Sequence, residues 1–154
     1  MIPRSGCDST FREKAIQNGY DDRAIDFFER VLDDHAGVRV RMGRKFAFRP
    51  PKTIVVGPFE VPYRLLFLHE MGHAISDHRD FKTDVERLKL EVEAWNNARK
   101  LGELYGVEID EELIQSELDT YRDWLHQKSR CPKCGLTRFQ TPDLLYHCPL
   151  CDQI

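Results

Sequence analysis

No stretch of this chain is apolar for long enough to cross a bilayer, which takes roughly 20 residues in a helical span. The first residues, MIPRSGCDST, lack the basic-then-apolar pattern of a secretory signal. Neither charge sign is in large excess: the formal net charge of −3 gives no global case for nucleic-acid binding. No internal repeat or low-complexity tract is present, which excludes repeat architectures and linker-like chains. Cysteine is absent before residue 131 apart from Cys7. These absences leave a soluble, cytoplasmic globular protein with no membrane partner as the expectation.

What is present suits one ordinary domain with a small appendage: 154 residues, 41% hydrophobic and 32% charged. Charge is uneven locally. Residues 38–52, VRVRMGRKFAFRPPK, carry six cations and no acid, interleaved with Phe46 and Phe48. Such a segment can hold single-stranded nucleic acid by charge and stacking. It also fits a β-ribbon with its apolar side chains inward and its cations outward, and that is the favoured reading. Cys7, in PRSGCD, is expected to be a lone cysteine rather than a blocking thiol.

Local signals outline the elements. DDRAIDFFERVLDDHAG predicts a helix, with acids at its start and Gly37 as its stop. VRVRM and RKFAF alternate, as two strands or a short hairpin do, and TIVVG reads as a further strand. Pro62 is placed to open the next helix. Thr83-Asp84-Val85-Glu86 has the form of a capping box and predicts a long helix ending near Gly106. Asp110 is placed to cap another, running to about Lys128. The domain boundary is expected there, with a main domain over 1–128 and a small cysteine-rich segment over 129–154.

The helix after Pro62 contains RLLFLHEMGHAI (64–75), in which His69, Glu70 and His73 lie among apolar residues. Buried polar groups are costly unless they have partners. His69 and His73 are four apart, so their imidazoles stack one turn above the other on a helix and can converge on one ion. Glu70 lies about 100° around, beside the same face. This is the H-E-x-x-H pattern, in which two histidines bind zinc and the glutamate works on a zinc-bound water.

A catalytic zinc takes a third protein ligand and keeps one position open. The downstream candidates are His78, Glu91 and Glu93. On a helical wheel Val85, Leu88, Val92, Trp95 and Ala98 share one arc. Glu91 falls within it, and Glu93 points away among Lys89 and Lys100. Glu91 is therefore the favoured ligand, and His78, in the turn after the histidine helix, is the alternative. His78, Tyr105 and Tyr121 are candidate second donors to an oxyanion. TIVVG is either the sheet edge that holds an extended substrate or an interior strand.

HEMGHAISDH followed by LEVEAWNNA resembles the gluzincin metallopeptidases, and within them the ImmA/IrrE-like peptidases. The resemblance covers about residues 50–105. It implies an α+β zincin-like domain with His69, His73 and Glu91 as zinc ligands and Glu70 as the general base. It also implies an intracellular peptidase that cuts a protein substrate, typically a regulator. Trp95 and Asn97 stand where that family usually has a small polar residue and an aromatic. A second resemblance is to SprT-like and Spartan-type peptidases, which act on DNA-bound proteins and use a third histidine. HRDF (78–81) faintly echoes their motif. A third expectation is a non-enzymatic adaptor binding nucleic acid or protein.

Cys131-Pro-Lys-Cys134 and Cys148-Pro-Leu-Cys151 form two C-x-x-C knuckles. Four thiolates at this spacing close a structural zinc site. A segment this short forms no core of its own without metal or disulfides. The expectation is a four-cysteine zinc ribbon, hence two Zn2+ per chain, one catalytic and one structural. The ribbon is a second candidate contact for nucleic acid.

Overall fold

The computed structural model describes residues 9–151. Cys7, and with it the question of a blocking thiol, lies outside the described residues. Helices α1 (Ser9–Gln17) and α2 (Asp22–Asp33) precede strands β1 (Arg39–Met42), β2 (Ala47–Arg49) and β3 (Thr53–Val56). Helices α3 (Tyr63–Ile75), α4 (Asp84–Tyr105) and α5 (Glu111–Ser129) follow, then strands β4 (Phe139–Gln140) and β5 (Tyr146–His147). The fold is α+β. The chain divides into two compact units, Met1–Arg79 with Glu93–Ile109 and Asp80–Val92 with Asp110–Ile154. The division falls inside α4, and α5 groups with the cysteine segment.

In the first unit, Asp21 caps α2 by accepting a hydrogen bond from the Ala24 N–H at 2.9 Å. The apolar stripe of α2, Ala24, Ile25, Phe27, Phe28, Val31 and Leu32, is buried. Its aromatic rings continue the core into α3, with the Phe28 and Phe67 centroids 4.6 Å apart. The sheet order is β1-β3-β2, with β1 parallel and β2 antiparallel to β3. The strand TIVVG is thus the interior strand, which removes it as a substrate-holding edge. VRVRM and RKFAF do not pair with each other as a hairpin, because each pairs with β3. A buried central strand is the place for the most β-branched and apolar segment: Ile54 and Val56 have no exposed surface.

The second unit shows the capping expected of its helices. The Thr83 Oγ1 accepts from the Glu86 N–H at 3.2 Å, and the Glu86 carboxylate accepts from the Lys82 N–H at 2.6 Å. That is a capping box displaced by one residue on its return bond. Asp110 caps α5 through the Glu112 N–H. Gly106 ends α4 with φ at +71°, a left-handed conformation suited to glycine. Asp84, only 5% exposed, ties the start of α4 to the cysteine segment. It receives Lys128 Nζ at 2.7 Å, the Tyr146 hydroxyl at 2.7 Å and Gln140 Nε2 at 3.2 Å. Burial opposes its charge, and those three bonds outweigh burial and hold its carboxyl below the usual range.

The wheel is correct for Trp95 and Ala98, at 3% and 0% exposure, and for buried Glu91. It fails at Val85, which is 48% exposed. A wheel assumes a partner along the whole helix, and the first turn of α4 is held by the polar contacts of Asp84 instead.

Candidate metal centres

Helix α3 is apolar on nearly every side: Leu65, Phe67, Leu68, Met71, Gly72 and Ala74 are buried together with His69 and His73. His69, Glu70 and His73 each bring one ligand atom to a common point, all within 4.8 Å of one another. Two imidazoles form a donor pair that suits zinc, with the Glu70 carboxylate beside them; Glu91 is buried on α4 but is not part of this converging group. Each histidine is braced by an aromatic ring. His69 stacks on Trp95 at 4.2 Å, and His73 on Phe48 at 5.8 Å with the planes 8° apart. Phe48 therefore turns toward His73. Arg39, Arg41, Arg44, Lys45 and Arg49 are exposed, so the cations face outward as expected, although β1 and β2 each pair with β3 and not with each other.

Gly72 sets how closely α3 approaches α4. A Cβ there would lie 2.2 Å from the Ala94 carbonyl oxygen and 2.9 Å from its carbon, both backbone atoms with no rotamer to yield. Gly72→Ala is expected to cost at least about 1–3 kcal/mol in unfolding free energy. It should also loosen the His69–Trp95 stack. Thermal unfolding and near-UV circular dichroism of the tryptophan check both, and an unchanged midpoint would refute the tight approach.

The end of α3 carries a feature that residue spacing did not reveal. The His78 N–H bonds the His73 carbonyl at 3.1 Å, and the Asp77 N–H bonds the Ala74 carbonyl at 3.2 Å. With Asp77 at φ +52°, this is a Schellman motif with aspartate in the position usually held by glycine. Lys52 steadies it, donating to the Ala74 carbonyl at 2.8 Å and pairing with Asp77 at 3.8 Å. A Schellman turn folds its last residue back over the third-from-last residue of the helix. Here those residues are His78 and His73, and their Nδ1 atoms are 2.8 Å apart. The other nitrogen of His78, Nε2, lies 3.0 Å from a Glu93 carboxylate oxygen. His78 is 5% exposed, and both its ring nitrogens are engaged. Glu93 is thus more than the solvated acid suggested by the wheel. The His78 bond, outweighing burial, holds its carboxyl below the usual range. Asn97, one turn further along α4, donates to the Ser76 hydroxyl at 2.7 Å and ties down the same turn.

Of the candidate oxyanion donors, Tyr105 donates its hydroxyl to Asp34 at 2.7 Å. Burial first, then that bond, pushes its pKa up to about 12. Tyr121 lies in the second unit with Arg87 over its ring at 5.5 Å.

Cys131, Cys134, Cys148 and Cys151 form a second convergent group, with all four sulfurs within 4.8 Å of one another and none in a disulfide. A tetrahedron of Zn–S bonds of about 2.3 Å has sulfurs about 3.8 Å apart, and Cys134 and Cys148 are 3.5 Å apart. The first knuckle closes through Gly135, at φ +75°, whose N–H bonds the Cys131 carbonyl at 2.9 Å. The backbone N–H groups of Cys134 and Lys133 hold the Cys131 thiol below its ordinary value. Cys151 is pushed up, first by its bond to Cys134, then by burial and by Cys148. Four thiolates gathered this closely would repel one another, and a cation among them would offset that, so this group too fits a metal ion. The β4–β5 pair, Phe139 with His147 and Gln140 with Tyr146, carries the second knuckle. His147 stacks on Phe139 and is not one of the four converging ligands.

No family model, curated protein or solved structure matches the chain. Both candidate centres therefore rest on the geometry and on the donor chemistry. Among the described residues no helix is long and apolar enough to cross a membrane.

Proposed function

We propose that the chain is an intracellular zinc-dependent peptidase with a zincin-like catalytic domain, a gluzincin of the ImmA/IrrE-like kind, and a four-cysteine zinc ribbon. The observation that carries the proposal is the convergence of His69, Glu70 and His73 on the buried helix α3. In this reading His69, His73 and Glu91 hold the catalytic zinc. Cys131, Cys134, Cys148 and Cys151 hold the structural one.

Zinc, when bound, would acidify a water molecule and polarise the peptide carbonyl. Glu70 would accept the proton of the attacking water at a carboxylate oxygen and return it to the leaving amine. Helix periodicity supports Glu91 as the third ligand: it stands one turn before Trp95 on the same face of α4, and Trp95 stacks on His69. His78 is disfavoured as a ligand because its nitrogens are taken by His73 and Glu93. That weighs against the SprT-like alternative. The substrate is a protein, for which β2 is the edge strand beside α3. An extended segment would add to it by main-chain hydrogen bonds.

The test is a metal count on the purified chain and its variants at saturating zinc. Two zinc ions per chain are expected, falling to one in His69→Ala and in Glu91→Ala and staying at two in His78→Ala. Loss of zinc from His78→Ala with retention in Glu91→Ala would replace this ligand set by the SprT-like one. A wild-type count of one would leave a non-enzymatic adaptor.

A further inference from the structure

Resting on the reading of His73 as a zinc ligand, we propose that His78 and Glu93 are positioning residues. They hold the His73 ring in its Nδ1–H tautomer and turn its Nε2 toward the ion. The constraint starts at the carboxylate. An ionised carboxylate accepts hydrogen bonds and cannot donate them. Glu93 therefore requires the proton of His78 to sit on Nε2, 3.0 Å away. A neutral imidazole has one N–H, so the Nδ1 of His78 is then a lone-pair acceptor. Where His78 is neutral, the Nδ1 of His73, 2.8 Å from it, is the donor. That leaves Nε2 as the nitrogen His73 presents to a metal. One carboxylate thus sets the tautomers of two histidines in series. Hydrogen bonds of this kind from beyond the ligands orient metal-binding histidines and raise their basicity.

The fold builds this chain of bonds from both ends. The Schellman turn at Asp77 delivers His78 onto His73. Glu93 and Asn97, one turn apart on α4, grip the turn at His78 and at Ser76. Phe48, stacked nearly parallel to the His73 ring, restricts its rotation from another side.

The experiment uses the full-length chain with 15N-labelled histidine, zinc-loaded and after mild chelation, read by long-range 1H–15N correlation. His73 is expected in the Nδ1–H form in both states, with Nε2 the zinc-bound nitrogen in the loaded one. Glu93 is 57% exposed at its side chain, so Glu93→Ala should fold. It should mix the His73 tautomers and weaken zinc at this centre by about 10- to 100-fold in chelator competition. The four-cysteine zinc should be untouched. His78→Gln, which can accept from His73 and donate to Glu93, should restore most of the affinity that His78→Leu loses. A His73 that carries its proton on Nε2 after chelation, or Glu93→Ala and His78→Leu chains with wild-type zinc affinity, would overturn the proposal. Neither readout uses peptide hydrolysis. An ordered Nδ1–H tautomer in a chain that binds no zinc at His73 would sink the peptidase reading and leave the hydrogen-bonded chain standing. Zinc bound beside a mixed tautomer would do the reverse.

Discussion

If the chain is the proposed peptidase, Glu70→Gln is expected to keep both zinc ions and to lose peptide hydrolysis by about 10²- to 10⁴-fold in kcat, the contribution of a positioned general base. The substitution preserves the size of the side chain and removes its ability to take a proton. Glu70 lies half-buried on α3 between the two histidines, within reach of the same point in space. A neutral amide there leaves His69 and His73 in place, so binding of metal and substrate should persist and KM should change little. Zinc analysis and hydrolysis of a casein or peptide-library substrate, run on the same preparation, separate a base from a ligand. Lost zinc together with lost activity would make Glu70 a ligand. Unchanged hydrolysis would place the base elsewhere.

Cys148→Ser should remove one zinc ion and unfold the cysteine segment. Cys148 is 2% exposed, lies 3.5 Å from Cys134 and is one of the four converging sulfurs. A structural zinc of this type contributes about 10–16 kcal/mol of binding free energy at neutral pH, most of which appears as folding free energy. Two-residue strands cannot replace that. With the knuckles open, Tyr146 and Gln140 should leave Asp84, and a buried carboxylate left with Lys128 alone destabilises the start of α4 as well. The expected result is rapid amide exchange and proteolytic cleavage between residues 131 and 151, with a zinc count lower by one. A variant that keeps two zinc ions and full protection would show that the fourth thiolate is dispensable.

Much of this was legible from residue spacing, because local geometry obeys short-range rules. The four-residue step between His69 and His73 brings two imidazoles together on any helix. Two C-x-x-C pairs gather four sulfurs wherever a hairpin joins them. Thr83, Asp110 and Gly106 marked helix ends because capping depends on a few adjacent atoms. Glu93 was misjudged because a wheel gives the direction of a Cα–Cβ bond and not the reach of a long side chain. Glu93 leaves α4 on its wet side and still meets His78, because the turn after α3 comes to it. That turn depends on Asp77 adopting a left-handed conformation, for which aspartate is only a weak signal. TIVVG could not be ordered within its sheet, because alternation within a strand says nothing of which strands flank it.

The sequence alone therefore determined which groups could hold a metal ion and how they are spaced along the chain: a paired-histidine helix, a glutamate among apolar residues, four cysteines in two knuckles. Only the tertiary structure decided which side chains brace them. Trp95, Phe48 and His78 reach the paired histidines from other elements, and Glu93 reaches His78. The close approach at Gly72, the order of three strands and the sense of one turn bring them there. Those are long-range choices, set by packing the whole unit at once, and no window of neighbouring residues contains them.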